Sequence, residues 1–287
     1  MMTKATKKSG KSTKREVPKV ESSGDEIRGA VREHYGNLAK TGSSCCSTKE
    51  SSCGCGGLYS QTEILSLPQD AIAVSAGCGN PTAIASLKPG MVVVDLGSGG
   101  GIDAFLSARK VGPKGLVYGI DMTPEMIHRA RKTARETGIE NVEFRLGEIE
   151  HIPLDAGVAD VVISNCVINL SPDKQQVFKE AFRVLKPGGR LAVSDIVLIS
   201  ELPEDIRENL TAWSSCVSGA VSEKEYVGAM KNAGFEQIKV EDRVVYTHEQ
   251  LSDYLKSYEY ADRPELRGRN LSELIASYRI TAVRPRK

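Results

Sequence analysis

From residue 91 onward the chain alternates short runs that are apolar on both faces with longer stretches whose apolar residues recur every three or four positions. Met91–Leu96, Gly115–Asp121, Asn141–Leu146, Asp160–Asn165 and Arg190–Ile196 have the length and near-continuous apolarity of strands buried on both sides. Asp103–Val111, Pro124–Thr137 and Lys174–Leu185 lie between them with helical periodicity. This alternation predicts a mostly parallel sheet covered by helices on both faces. Thr123-Pro124 predicts a helix start, with Thr as the N-cap and Pro in the first turn. Ser222 and Glu225 have capping-box spacing and predict a helix over Glu223–Ala233. Lys186-Pro187-Gly188-Gly189 reads as a tight turn, and Glu273–Val283 as a final strand. No internal repeat is found.

Upstream of residue 91 the pattern loosens. Asp25–Ala39 places Ile27, Ala30, Val31 and Tyr35 on one helical face. Thr41–Gly57 is rich in Ser, Gly and Cys, carries Cys45, Cys46, Cys53 and Cys55, and reads as a loop. Residues 1–24 are rich in Lys, Ser and Thr and hold too little apolar surface to offset the entropy of ordering, so a solvated disordered tail is expected. The organisation predicted is a tail (1–24), a helical and Cys-rich extension (25–90), and an α/β domain (91–287).

Composition narrows the function. With 287 residues, 40% of them hydrophobic, the chain can build one α/β core and an extension. A net charge of +1 offers no field for nucleic acid or an anionic membrane, so neither is expected as a partner. No apolar run approaches the roughly 20 residues of a membrane span, and the first residues lack a secretory signal. Seven cysteines without an export signal read as reduced thiols, ligands or nucleophiles in the cytoplasm.

The strongest local motif is Asp95-Leu96-Gly97-Ser98-Gly99-Gly100-Gly101, between an apolar strand and a helix. Glycines here let a ligand approach the backbone at the helix N-terminus. A nicotinamide-binding loop is the competitor, but its third small residue is replaced by Ile102, and an acidic residue precedes the loop. That D-x-G-x-G-x-G form is typical of class I, Rossmann-like methyltransferases with seven-stranded sheets, and implies S-adenosyl-L-methionine as cofactor. Asp121, at the end of the second strand, is placed to accept hydrogen bonds from ribose hydroxyls, with Met122 beside it. Glu148 and Ile149 follow the third strand, where such enzymes hold adenine, and Asn165, which ends the fourth, is a further candidate cofactor-binding residue.

Cys166 follows Asn165 directly, at the carboxyl end of that strand, where open α/β sheets bind ligands. Taken alone it reads equally as a small buried apolar residue. Cys78 lies between Gly77 and Gly79, and Cys216 lies in a segment that would form a substrate lid, around residues 200–235. Three such distant thiols can converge at one mouth of the sheet. Their spacing is unlike the local pairs that bind zinc. The Cys45–Cys55 loop could hold zinc or an iron–sulfur cluster, against which irregular spacing and the lack of a nearby His argue. His34 and His151 read as surface or structural residues, and Asp103 either as a helix cap or as a substrate-side carboxylate.

The stretches around Cys78–Pro81, Asp95–Asp103, Gly119–Met126 and Ser164–Lys174 resemble the arsenite methyltransferase family. The resemblance covers about residues 36–240. It implies that Cys78, Cys166 and Cys216 bind As(III), and that a redox cysteine falls at Cys45 or Cys46. It also implies arsenite, free or as a thiol conjugate, as substrate, and thioredoxin or a small thiol as reductant. A carbon- or oxygen-methylating enzyme of quinone-biosynthesis type would share the glycine loop without needing three thiols. A metalloid-binding module without turnover would need no complete cofactor pocket.

Overall fold

A computed structural model of the chain describes residues 23–42, 59–65, 67–74, 77, 79–201, 217, 219–247, 249 and 271–286. The expected tail up to residue 22, the four thiols of residues 45–55, Cys78 and Cys216 lie outside the described residues.

Seven strands form one sheet: β1 (Val92–Leu96), β2 (Leu116–Asp121), β3 (Val142–Leu146), β4 (Ala159–Asn165), β5 (Leu185–Leu198), β6 (Glu236–Val245) and β7 (Ile275–Val283). Their order is β3-β2-β1-β4-β5-β7-β6. The first five pair in parallel, while β7 runs antiparallel to both β5 and β6. The chain winds outward from β1 in one direction, then restarts at β4 in the other. The crevice between the carboxyl ends of β1 and β4 is therefore the topological switch point, where such sheets bind ligands.

Eight α-helices accompany the strands among the described residues: α1 (Gly24–Thr41), α2 (Gln61–Leu65), α3 (Gln69–Ile72), α4 (Pro81–Ile84), α5 (Ile102–Val111), α6 (Pro124–Thr137), α7 (Lys174–Val184) and α8 (Glu223–Asn232). One sheet face packs Val93, Val117 and Ile163 with Phe105 and Phe144. The other packs Leu96, Ile120 and Leu191 with Phe178, Tyr226 and Met230. Burying each such side chain contributes about 1.5–3 kcal/mol, so both faces favour one strand register. The apolar stripe of α1 has a different target: Ile27 and Val31 join Cys166, Leu170, Ile196 and Val217 at the mouth of the sheet. A Ser23–Glu26 capping box starts that helix.

Three local expectations are corrected. Lys186–Gly189 is not a turn between helix and strand but lies within β5, which begins at Leu185; the register shift between Ala159 and Val161 absorbs the irregularity. Thr123 does occupy the N-cap of α6, but makes no capping bond there; its backbone N–H donates to Asp121 Oδ1 at 2.8 Å, and its side chain also bonds that carboxylate. The seven-stranded sheet was expected, but the position of β6 was not. Its residues are mostly exposed at the sheet edge, so charged positions mask the period-two signal.

Candidate active site

A cleft, part of it open to solvent, lies over the switch point, where sheets of this kind bind small molecules. The loop after β1 forms its floor through Asp95 and Gly97–Gly100, β2 contributes Asp121 and Met122, and β4 contributes Asn165 and Cys166. Arg28, Val31 and Tyr35 of α1 close it from above. Gly97 has φ +65°, and a methyl there would overlap Val167, so only glycine serves at this turn.

The cleft is strongly acidic. Asp95 is 2% exposed and its Oδ2 has no partner among the described residues. Burial, then the nearby Asp103 and Asp121 carboxylates, push its carboxyl well above the usual range. Burial also raises Asp121, against hydrogen bonds from the Thr123 and Gly99 N–H groups; Gly99 N donates to Oδ2 at 2.9 Å. Burial lifts Asp103 to about 6, opposed by bonds from Asn165 and Tyr59. Three carboxylates with an orphaned oxygen suit a cationic ligand, whose charge would hold them ionised. An ammonium and a sulfonium on one molecule fit this donor set.

The cysteine at the mouth of β4 has an unusual backbone. Cys166 adopts φ +59°, a left-handed conformation that costs a non-glycine residue on the order of 1–3 kcal/mol. Its N–H donates to Ser194 O at 2.8 Å, and its side chain is 4% exposed. The strain is held by packing against Leu170, Ile196 and Val217. Cys166 is disulfide-bonded in this structure, where a reduced thiol was expected. A sulfur near enough to be oxidised by a second cysteine is near enough, once reduced, to share a ligand with it.

The structure also places residues that the sequence reading did not single out. Glu150 lines the cleft, accepts from Ser171 Oγ at 2.6 Å and faces Arg28 at 3.6 Å. Glu148 is not in the lining; it is ion-paired to Arg32 at 3.3 Å and Arg28 at 3.9 Å. Its neighbours Gly147 and Ile149 do line it. Tyr59 bonds the inner side of Asp103. The amphipathic face of α1 was legible, but nothing in its pattern says what it covers. His34 stacks edge-on against Tyr35, and His151 is exposed; neither lines the cleft.

A sheet of this order with an acidic glycine loop at its switch point defines a class I methyltransferase. Residues 87–234 match the methyltransferase domain family. The chain is 38% identical to an arsenite methyltransferase of Halobacterium salinarum over 91% of its own length and 67% of that protein. It is 37% identical to one from Mus musculus, over 74% of this chain and 58% of the other. An arsenic(III) S-adenosylmethionine methyltransferase from Chlamydomonas reinhardtii, known from its crystal structure, superposes with a TM-score of 0.63 at 32% identity, covering 78% of this chain and 72% of that one. The chain belongs to the arsenite methyltransferase family, and spans between about half and two thirds of the length of these curated relatives.

Proposed function

We propose that the chain transfers a methyl group from S-adenosylmethionine to trivalent arsenic held by the thiolates of Cys78, Cys166 and Cys216. The observation that most supports this reading is Cys166, a disulfide-bonded cysteine in the wall of a cleft whose floor carries the unpartnered Oδ2 of Asp95. As(III) is soft and prefers thiolates, and three sulfurs leave its lone pair pointing away from the protein ligands. Held roughly 3–3.5 Å from the methyl carbon and in line, that pair attacks without a general base. The As–C bond forms with the lone pair of arsenic. The sulfonium S–CH3 bond breaks, and its electrons return to sulfur as S-adenosylhomocysteine. Arsenic is thereby formally oxidised by two electrons, which thioredoxin or a small thiol returns. Such thiols abound in the cytoplasm, where we place the protein. Cys45 or Cys46 would exchange disulfides with the site.

Asp95 would take the ammonium of the cofactor, and Asp121 its ribose. Gly97, Ser98 and Gly99 would allow the backbone to approach, with Met122 and Ile149 against the adenine.

The test is anaerobic turnover of the reduced protein with methyl-labelled S-adenosylmethionine and arsenite. Wild type should form labelled methylarsenicals, and Cys166→Ser should lose at least 10–100-fold, the scale on which a ligand shell governs a bound metal. Wild-type turnover by Cys166→Ser would overturn the reading.

A further inference from the structure

The side-chain amide of Asn165 does more than end β4. Its Oδ1 accepts from Gly79 N at 3.1 Å, and its Nδ2 donates to Gly79 O at 2.8 Å, gripping both polar groups of one residue. A methyl on Gly77 would overlap the same amide, and one on Gly79 would overlap Ser194 of β5. The two residues that flank position 78 are thus seated directly on Asn165, which ends β4, and on Ser194, its neighbour in β5. Cys166 is the very next residue after Asn165.

The amide is itself oriented. Nδ2 donates to Asp103 Oδ2 at 3.0 Å and lies 3.1 Å from Tyr59 Oη. Tyr59 donates in turn to the Asp103 carboxylate at 3.1 Å. A flipped amide would turn Oδ1 onto that carboxylate and the Gly79 carbonyl and Nδ2 onto the Gly79 N–H, losing the bonds to Asp103 and to both groups of Gly79. Asp103 is 3% and Tyr59 6% exposed, so water does not compete. Tyr59 stands outside the lining of the cleft.

We propose that Asn165, oriented by Asp103 and Tyr59, is a positioning residue. It fastens Gly79 to the end of β4, with Gly77 packed against the same amide, and so governs how far the thiol carried between them can stand from that of Cys166. This rests on the reading of those thiols as arsenic ligands. Two thiols prearranged on a rigid backbone bind a shared ligand without ordering a loop, and second-shell groups that orient ligands govern affinity about 10–100-fold.

The experiment titrates anaerobically reduced full-length chain with arsenite, and separately with S-adenosylmethionine, in wild type, Asn165→Ala, Tyr59→Phe and Cys166→Ser. Asn165→Ala should raise the arsenite dissociation constant about 10–100-fold. Tyr59→Phe, which keeps the ring and loses one hydrogen bond, should raise it about 2- to 10-fold with cofactor affinity unchanged. If Asn165→Ala does not fold, Tyr59→Phe decides. Arsenite binding at wild-type strength in both variants, with Cys166→Ser defective, overturns the positioning role alone. An equal loss of arsenite and cofactor binding in Tyr59→Phe also overturns it, because general loosening would do the same. Cys166→Ser binding as tightly as wild type overturns the thiol-ligand reading beneath it.

Discussion

At the scale of single residues, burial disfavours a carboxylate where the cleft wants one. Asp95 is raised by burial and by two neighbouring acids, with one oxygen unpartnered. A bound ammonium reverses this, since an adjacent cation favours the ionised form. Between the ordinary aspartate range and its raised value, the free protein holds a proton on Asp95 that the complex does not. S-adenosylmethionine binding should therefore release protons, and tighten as pH rises through that window. Calorimetric titrations across pH 4.5–8 in buffers of different ionisation enthalpy measure the release directly. Asp95→Asn should reduce it, leaving only what Asp103 and Asp121 release, and weaken binding by about 1.5–3 kcal/mol, the usual worth of a hydrogen bond to a charged group. Proton uptake, or no exchange, in the wild type would show that Asp95 does not meet the cation.

At the scale of elements, α8 is tied to β5 through one buried acid. Tyr226 Oη donates to Asp195 Oδ2 at 3.1 Å, and burial pushes Asp195 up to about 7 despite that bond and the one from Ile196 N–H. The unfolded chain would ionise this group near pH 3.9. Between about pH 4 and 7 the folded state holds a proton that the unfolded state has lost, so the contribution of Asp195 to stability falls as pH rises and levels off above 7. Asp195→Asn carries no charge and can still bond Tyr226. Its unfolding midpoint relative to wild type should rise from pH 5 to pH 8. A difference independent of pH would assign the slope to other groups. Elements were also where the sequence was most readable. Helix α6 spans Pro124–Thr137 as its periodicity predicts, and the Ser222–Glu225 capping box opens α8. These signals are local. Strand β6 was hidden because an exposed edge needs few apolar residues, and the bulged start of β5 because proline and two glycines imitate a turn. The site was legible in part for the same reason. The Asp95–Gly101 loop carries its chemistry in consecutive residues. Tyr59, Arg28 and Glu150 become site residues only when a helix or loop distant in sequence folds over the sheet, and no spacing records that. Glu148 shows the converse, a residue next to the lining whose side chain is claimed by α1.

At the scale of the whole molecule, the cleft has two independent walls. The sheet mouth and glycine loop belong to the α/β core, whereas α1 is held by groups at its surface. Arg28 reaches Glu150, Lys40 pairs with Glu125 at 3.0 Å, and Arg129 of α6 donates to Ala39 O at 3.0 Å. The exposed Lys40–Glu125 pair is worth at most about 1 kcal/mol, the other two contacts are single bonds, and the apolar contact of Ile27 and Val31 is small beside the sheet core. Helix α1 should therefore open locally at a lower free energy than the sheet, as elements that cover ligands commonly do. A ligand caught between the walls stabilises only states in which both are in place. At a hundred times its dissociation constant, S-adenosylmethionine should add about 2.7 kcal/mol and raise Tm by roughly 5–10 °C. The same linkage should slow amide hydrogen exchange along residues 24–41 by up to about 100-fold, while the edge strand β6, remote from the cleft, gains no protection beyond that of global unfolding. Exchange in α1 that ignores the ligand while Tm rises would mean that the ligand is held by the sheet side alone, and that Arg28, Val31 and Tyr35 are not part of its binding wall.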